Sequence, residues 1–166
     1  MKYFVLAALT ALPMAAFAAS ATPDMRFYKS LAAGGLAEVR DGKLAQDKGA
    51  DQKIKDFGAM MVKDHSAANE ELMGLAQSKG ITLPTVPAMR AHTTKMSLDA
   101  LSGETFDKAY VKSQIKAHKG TVALLQKEIA SGQDAQAKAF AQKALPTVQS
   151  HLEAIEGIGS GMGIKR

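Results

Sequence analysis

Three of the four histidines in this chain stand where an amphipathic helix ordinarily carries leucine. In MMVKDHSAANEEL, steps of three and four residues outward from Met61 pass through Ile54, Phe57, Met61, His65, Ala68, Leu72 and Leu75, an apolar stripe with an imidazole at its centre. A second stripe reads Val111, Ile115, His118, Val122, Leu125 and Ile129, and a third reads Phe140, Ala144, Val148, His151 and Ile155. A further segment presents Phe27, Leu31, Gly34, Glu38 and Ala45 on one face, with Glu38 in the corresponding place. Each stripe takes roughly three positions in seven, so three inward histidines arise by chance with a probability of about 0.08.

Burying an imidazole without a partner costs on the order of 1 to 3 kcal/mol, and burying an unpaired carboxylate costs more. Two outcomes satisfy these groups. In one, Glu38, Tyr110 and the histidines form a polar core network around buried water. In the other, His65, His118, His151 and Glu38 hold a divalent transition metal, since neutral imidazole and carboxylate suit zinc, copper, nickel or iron. His92 lies on no stripe and reads as a surface residue. Asp64 points about 100° away from its neighbour His65, toward an outer hydrogen bond or toward solvent. Asp107 and Tyr110 read as capping and packing residues, and Met60, Met61, Met73 and Met96 as core filler. No Gly-x-Ser-x-Gly elbow, histidine-activated nucleophile or catalytic carboxylate pair is present, so the reading leans away from an enzyme.

The elements that must position these residues are helices. The pattern predicts one from about Asp24 to Lys48, stopped by Gly49, and a second from about Asp51 to Lys79, stopped by Gly80. A short helical piece is expected from about Thr93 to Leu101, a third long helix from about Glu104 to Ala130, and a fourth from about Asp134 to Glu156. Tight breaks inside each pair make two antiparallel hairpins, hence an all-α, four-helix bundle with a short extra helix in the long connection between helices two and three. Helices two and three are then antiparallel, or parallel through a ferritin-type crossover.

At about 1.5 Å per residue, His65 and His118 lie roughly 21 Å into their helices, near mid-height, and Glu38 is also near the middle of its own. His151 is displaced toward the C-terminal end by about 8 Å, so a single site requires stagger or a kink, which Pro146 helps to supply. Gly34, Gly35 and Gly42 weaken the first helix and offer in return close approach to a neighbour or room around a site.

The start, MKYFVLAALTALPMAAFAASATPD, has Lys2, an apolar stretch, Pro13 and then Ala16-Phe17-Ala18, the pattern of a secretory signal peptide cleaved after Ala18. Residues 1–18 are thus read as the signal, 19–156 as the bundle domain and 157–166 as a flexible tail. The mature chain has no transmembrane anchor on this reading, because Pro13 interrupts the apolar run too early. Cysteine is absent, which excludes disulfides, thiolate ligands and a cysteine nucleophile. Loss of Lys2 lowers the formal charge from +5 to +4, and the remaining lysines are scattered along the helices among acidic residues. With aromatics at 5%, this is a solvated surface and not a nucleic-acid footprint. A periplasmic protein follows, with peripheral attachment to the outer membrane, an envelope partner and homo-oligomer formation left open.

GGLAEVRDGKLA, MMVKDHSAANEEL, FDKAYVKSQIKAHKGTVAL and LPTVQSHLEAI together resemble a bacterial family of exported proteins known only as a domain of unknown function, in places labelled outer membrane protein, with a ferritin-like helical fold. The resemblance runs from about Phe27 to Ile155. It implies a pattern of glutamate in the first helix, Asp-His in the second, Asp-x-x-Tyr and histidine in the third, and proline then histidine in the fourth. Here these are Glu38, Asp64 and His65, Asp107, Tyr110 and His118, and Pro146 and His151. Ferritin-like di-iron proteins carry Glu-x-x-His on two helices, but Val62 and Val148 stand three residues before His65 and His151. A mononuclear histidine-rich centre in an envelope or stress-related protein is the expectation; the alternative is a structural or interaction module of the envelope with a histidine-containing polar core.

Overall fold

The computed structural model describes residues 22–87 and 97–164. Four long helices make up most of it: α1 (Pro23–Lys48), α2 (Gln52–Ser78), α3 (Gly103–Ser131) and α4 (Ala135–Gly161), and the described residues contain no strand. The helix starts obey local chemistry. Thr22, with Pro23 behind it, caps α1 by accepting the Met25 N–H at 3.1 Å. Asp51 caps α2 through the Lys53 N–H, and Asp134 caps α4 through the Gln136 N–H, both at 2.9 Å. Of the expected short helix, residues 97–99 are helical; Thr93, like His92, Met96 and the signal segment, lies outside the described residues.

Long-range hydrogen bonds fix the topology. The Asp107 carboxylate, near the start of α3, accepts the N–H groups of Ala50 and Asp51 in the α1–α2 turn at 3.0 and 2.9 Å. At the opposite pole Asp24 accepts the Gln133 N–H from the α3–α4 turn at 2.9 Å, and Lys79, just past α2, pairs with Asp134 at 2.8 Å. α2 and α3 therefore begin at the same pole and run parallel. The connection between them returns along the bundle, a distance of about 40 Å for a helix of this length. This is the ferritin-type crossover; α1 packs on α2 and α3 on α4, with α1 beside α3 and α2 beside α4.

The α1–α2 seam is closed by a glycine pair. A Cβ on Gly42 would meet the Gly58 carbonyl at 2.7 Å, and one on Gly58 would meet the Gly42 carbonyl at 2.6 Å, so the two backbones touch only because both side chains are absent. A Cβ on Gly34, by contrast, would meet nothing within 4 Å; Gly35 and Gly42 are the contact glycines of α1.

Two apolar clusters fill the two halves of the bundle. One gathers Phe27, Tyr28, Leu72, Leu125, Phe140 and Val148; the other gathers Ile54, Phe57, Met61, Phe106, Tyr110, Val111 and Ile155. His65, His118 and His151 each fall between a residue of one cluster and a residue of the other on its own helix, and so form a polar layer at mid-height. The stagger expected for His151 shrinks because α4 runs to Gly161 and not to Glu156, which leaves His151 about 5 Å past the helix midpoint. Residues 157–161, expected in a tail, are helical. Gly159 is buried against Val111 and Ile115, and Gly163, at φ 73°, turns the chain so that the Ile164 N–H reaches the Gly159 carbonyl at 2.9 Å. Among the described residues no helix is long and apolar enough to cross a membrane.

Candidate metal centre

One turn of each of three helices delivers an imidazole to the same point. His65 on α2, His118 on α3 and His151 on α4 have ring centres 5.8, 5.5 and 5.7 Å apart, taking the pairs His65–His118, His65–His151 and His118–His151. One nitrogen from each ring lies within 4.8 Å of its counterparts. A metal–nitrogen bond of about 2.0–2.1 Å, plus about 1.2 Å from nitrogen to ring centre, spaces three imidazoles around one ion by about 5.5 Å. The triangle of rings already has those dimensions.

The hydrogen bonds set the tautomers. His118 Nδ1–H donates to the Gln114 carbonyl at 3.0 Å, so its Nε2 carries the lone pair. His151 Nε2–H donates to the Asp64 carboxylate at 3.0 Å, so its Nδ1 carries the lone pair. Those two atoms, together with His65 Nε2, are buried and have no hydrogen-bond partner. A carboxylate or carbonyl fastening one ring nitrogen while the other stays free is how metal-binding histidines are oriented. Burial holds His65 at about 3 and His118 at about 4, with the neighbouring histidines adding to the depression. His65 and His118 thereby stay neutral, the form of imidazole that a metal requires.

Asp64, for which the sequence leaves an outer hydrogen bond or solvent open, takes the hydrogen bond. Asp107 does what is expected of a capping residue, and Tyr110 packs, stacked on Phe106 with ring centres 5.9 Å apart. Glu38, expected as a fourth ligand, is not in the group of mutually close ligand atoms. It is buried beside α3, bonded to the Gln114 side chain, and burial raises it to about 8, with Asp41 adding to the rise while Gln114 and Arg40 oppose it. Its Oε2, the Gln114 Oε1 and the Tyr110 hydroxyl are further buried atoms without partners. Gln114 and Asp41 are not singled out by the sequence pattern. Gln114 stands one turn before His118 and one after Tyr110, a polar ladder at four-residue spacing that could have been read as the inward face of α3.

A cleft of about 400 Å³ opens from the surface between α2 and α4 and is floored by His65, His151 and Asp64. Leu31, Leu72, Leu125, Phe140, Ala144 and Val148 supply the apolar part of its lining, and Asn69, Glu71, Thr121, Lys143 and Thr147 the polar part.

A crossover-connected four-helix bundle of ferritin type, with a three-histidine layer between two apolar half-cores, is the class of protein that these features define. The chain belongs to the family described as Domain of unknown function (DUF4142), whose model matches residues 9–158. Among solved structures it is similar to a predicted secreted DUF305 protein from Streptomyces coelicolor, at 13% identity and a TM-score of 0.74, over 89% of this chain and 98% of that one. It is also similar to a DUF305 fragment from Deinococcus radiodurans, at 12% identity and a TM-score of 0.72, over 82% of this chain and 94% of that one. At such identities the likeness is one of fold. No curated protein matches the chain.

Proposed function

We propose that this protein binds one divalent transition metal through His65 Nε2, His118 Nε2 and His151 Nδ1, and does so as an exported protein of the bacterial envelope. The observation that carries the reading is the set of three buried, partnerless lone pairs on rings spaced as three ligands of one ion. A core network made of protein atoms alone would leave these nitrogens hydrogen-bonded to one another or to hydroxyls. Here the hydrogen bonds of His118 and His151 go to Gln114 and Asp64, and one nitrogen of each of the three rings lies within 4.8 Å of the others. Three imidazoles suit zinc, copper, nickel or iron, and leave a coordination position open. Glu38 is assigned to the supporting shell: it holds Gln114, whose backbone carbonyl orients His118.

Export is supported by the leader-like start of the sequence, and the secreted description of the Streptomyces protein is in keeping with it. The test is thermal melting of the purified protein and of His65→Ala, with and without zinc or copper, at pH 7.5. The parent should gain about 5–10 °C at a hundredfold excess of metal over Kd, and the variant nothing. A parent indifferent to both ions would defeat the zinc and copper readings and favour a structural module in which the histidines only fasten the core.

A further inference from the structure

The cleft between α2 and α4 has no part in holding the ion, yet it ends on two of the three ligands. His65 and His151 line it and His118 does not, so an ion held on the three nitrogens would lie at the edge of the cleft, within reach of a ligand in it. Apolar side chains from all four helices form its walls: Leu31 from α1, Leu72 from α2, Leu125 from α3 and Phe140 from α4. Such walls gain nothing from water and favour an apolar occupant. The volume of about 400 Å³ is in the range of small-molecule sites, and equals roughly a dozen water-sized groups at ~30 Å³ each. At the surface the cleft is crossed by a Lys143–Glu71 ion pair at 2.8 Å, which joins α4 to α2 through two solvent-exposed side chains. Exposed pairs of that kind hold weakly, so the strap admits a ligand.

Charge decides what head group the floor takes. A divalent ion on three neutral imidazoles keeps its full charge, and Asp64, bonded to His151, offsets half of it. The floor is left with a net positive charge at the bottom of an apolar shaft, complementary to one anionic group. We propose that the cleft is the second half of the site and takes a small monocarboxylate with an apolar tail, its head on the open position of the ion and its tail among Leu72, Leu125 and Phe140. The inference rests on the metal reading and adds the ligand class.

Cobalt(II) as the probe metal separates the two. The cobalt-loaded protein is titrated with octanoate and with acetate at pH 7.5, and its visible absorption, which reports the coordination of the ion, is followed. Octanoate should perturb the spectrum with a half-saturation at least tenfold below that of acetate. Ala144→Phe, which fills the shaft away from the ion, should leave cobalt binding unchanged and bring octanoate to the acetate level. If that variant does not fold, Thr147→Tyr at the exposed mouth should weaken octanoate in the same direction. A chain that binds no cobalt overturns the metal reading together with this one. Cobalt binding with equal response to octanoate and acetate, or an octanoate preference that survives the filled shaft, overturns the ligand proposal and leaves the metal reading standing.

Discussion

Two polar clusters lie in this bundle, one at its waist and a half-buried one at its pole, and they differ in how their charges are met. At the pole, Asp24, Glu128 and Asp134 gather where α1 and α4 begin and α3 ends. Backbone N–H groups and Lys79 answer Asp24 and Asp134, and the Tyr28 hydroxyl donates to Asp134 at 3.3 Å. Glu128 is held up at about 7 by its burial and by a hydrogen bond with Asp24, a carboxyl pair that stays together by sharing a proton. At the waist, the backbone and Asp64 satisfy one nitrogen each of His118 and His151, and no atom of the described residues bonds the other. The polar cluster at the pole, where backbone N–H groups and Lys79 meet the aspartates, fastens helix ends. The one at the waist, with three ring nitrogens close together and without a protein partner, is the candidate site.

Substitutions sharpen that contrast, the largest effect coming first. His118→Ala should lower metal affinity at least a hundredfold and abolish the metal-dependent rise in melting temperature, as read by calorimetric titration with zinc. Asp64→Ala leaves all three ligands in place but frees the His151 ring, so affinity should fall about 10- to 100-fold in the same titration. Asp107→Ala strips the acceptor from the Ala50 and Asp51 N–H groups, an expected cost of about 1–3 kcal/mol. Denaturant unfolding should show that loss, while the zinc-induced stabilisation persists.

The smallest effect concerns the pole and depends on pH. Glu128 is raised from the ordinary 4.5 to about 7 in the folded chain. Between those values the folded state holds a proton that the unfolded state has released. Its contribution to stability is therefore fully present below 4.5 and is lost as pH rises through 7. Glu128→Gln keeps the neutral shape at every pH. Relative to the parent, it should melt within about a degree at pH 5 and about 2–4 °C higher at pH 8, with no change in zinc affinity at either. A metal affinity that moved with Glu128 would break the separation between pole and waist.

Much of the waist is legible in the sequence alone, because a helix has one period and a histidine on an apolar stripe must point inward. The four helices are equally legible from their caps and from the two short turns. What the pattern does not carry is pairing at a distance. A connection from Lys79 to Ser102 is long enough to reach either pole, and only the Asp107 and Lys79 contacts decide for the crossover. The end of α4 escapes detection because GIGSGMG reads as a flexible run, whereas Gly159 serves close packing on α3. Glu38 is rightly expected to be buried. Its partner Gln114 lies on another helix; the Tyr110, Gln114, His118 spacing marks Gln114 as inward, but nothing local pairs it with Glu38.

The central claim is that three imidazoles from α2, α3 and α4 meet on one ion, and X-ray absorption at the zinc edge tests it most directly. With one equivalent of zinc bound to the parent protein, the account predicts one ion per chain with three imidazole nitrogens at about 2.0–2.1 Å. Each of His65→Ala, His118→Ala and His151→Ala should lose that shell. A shell of oxygen atoms only, or an imidazole shell that survives any one of the three substitutions unchanged, would contradict the account.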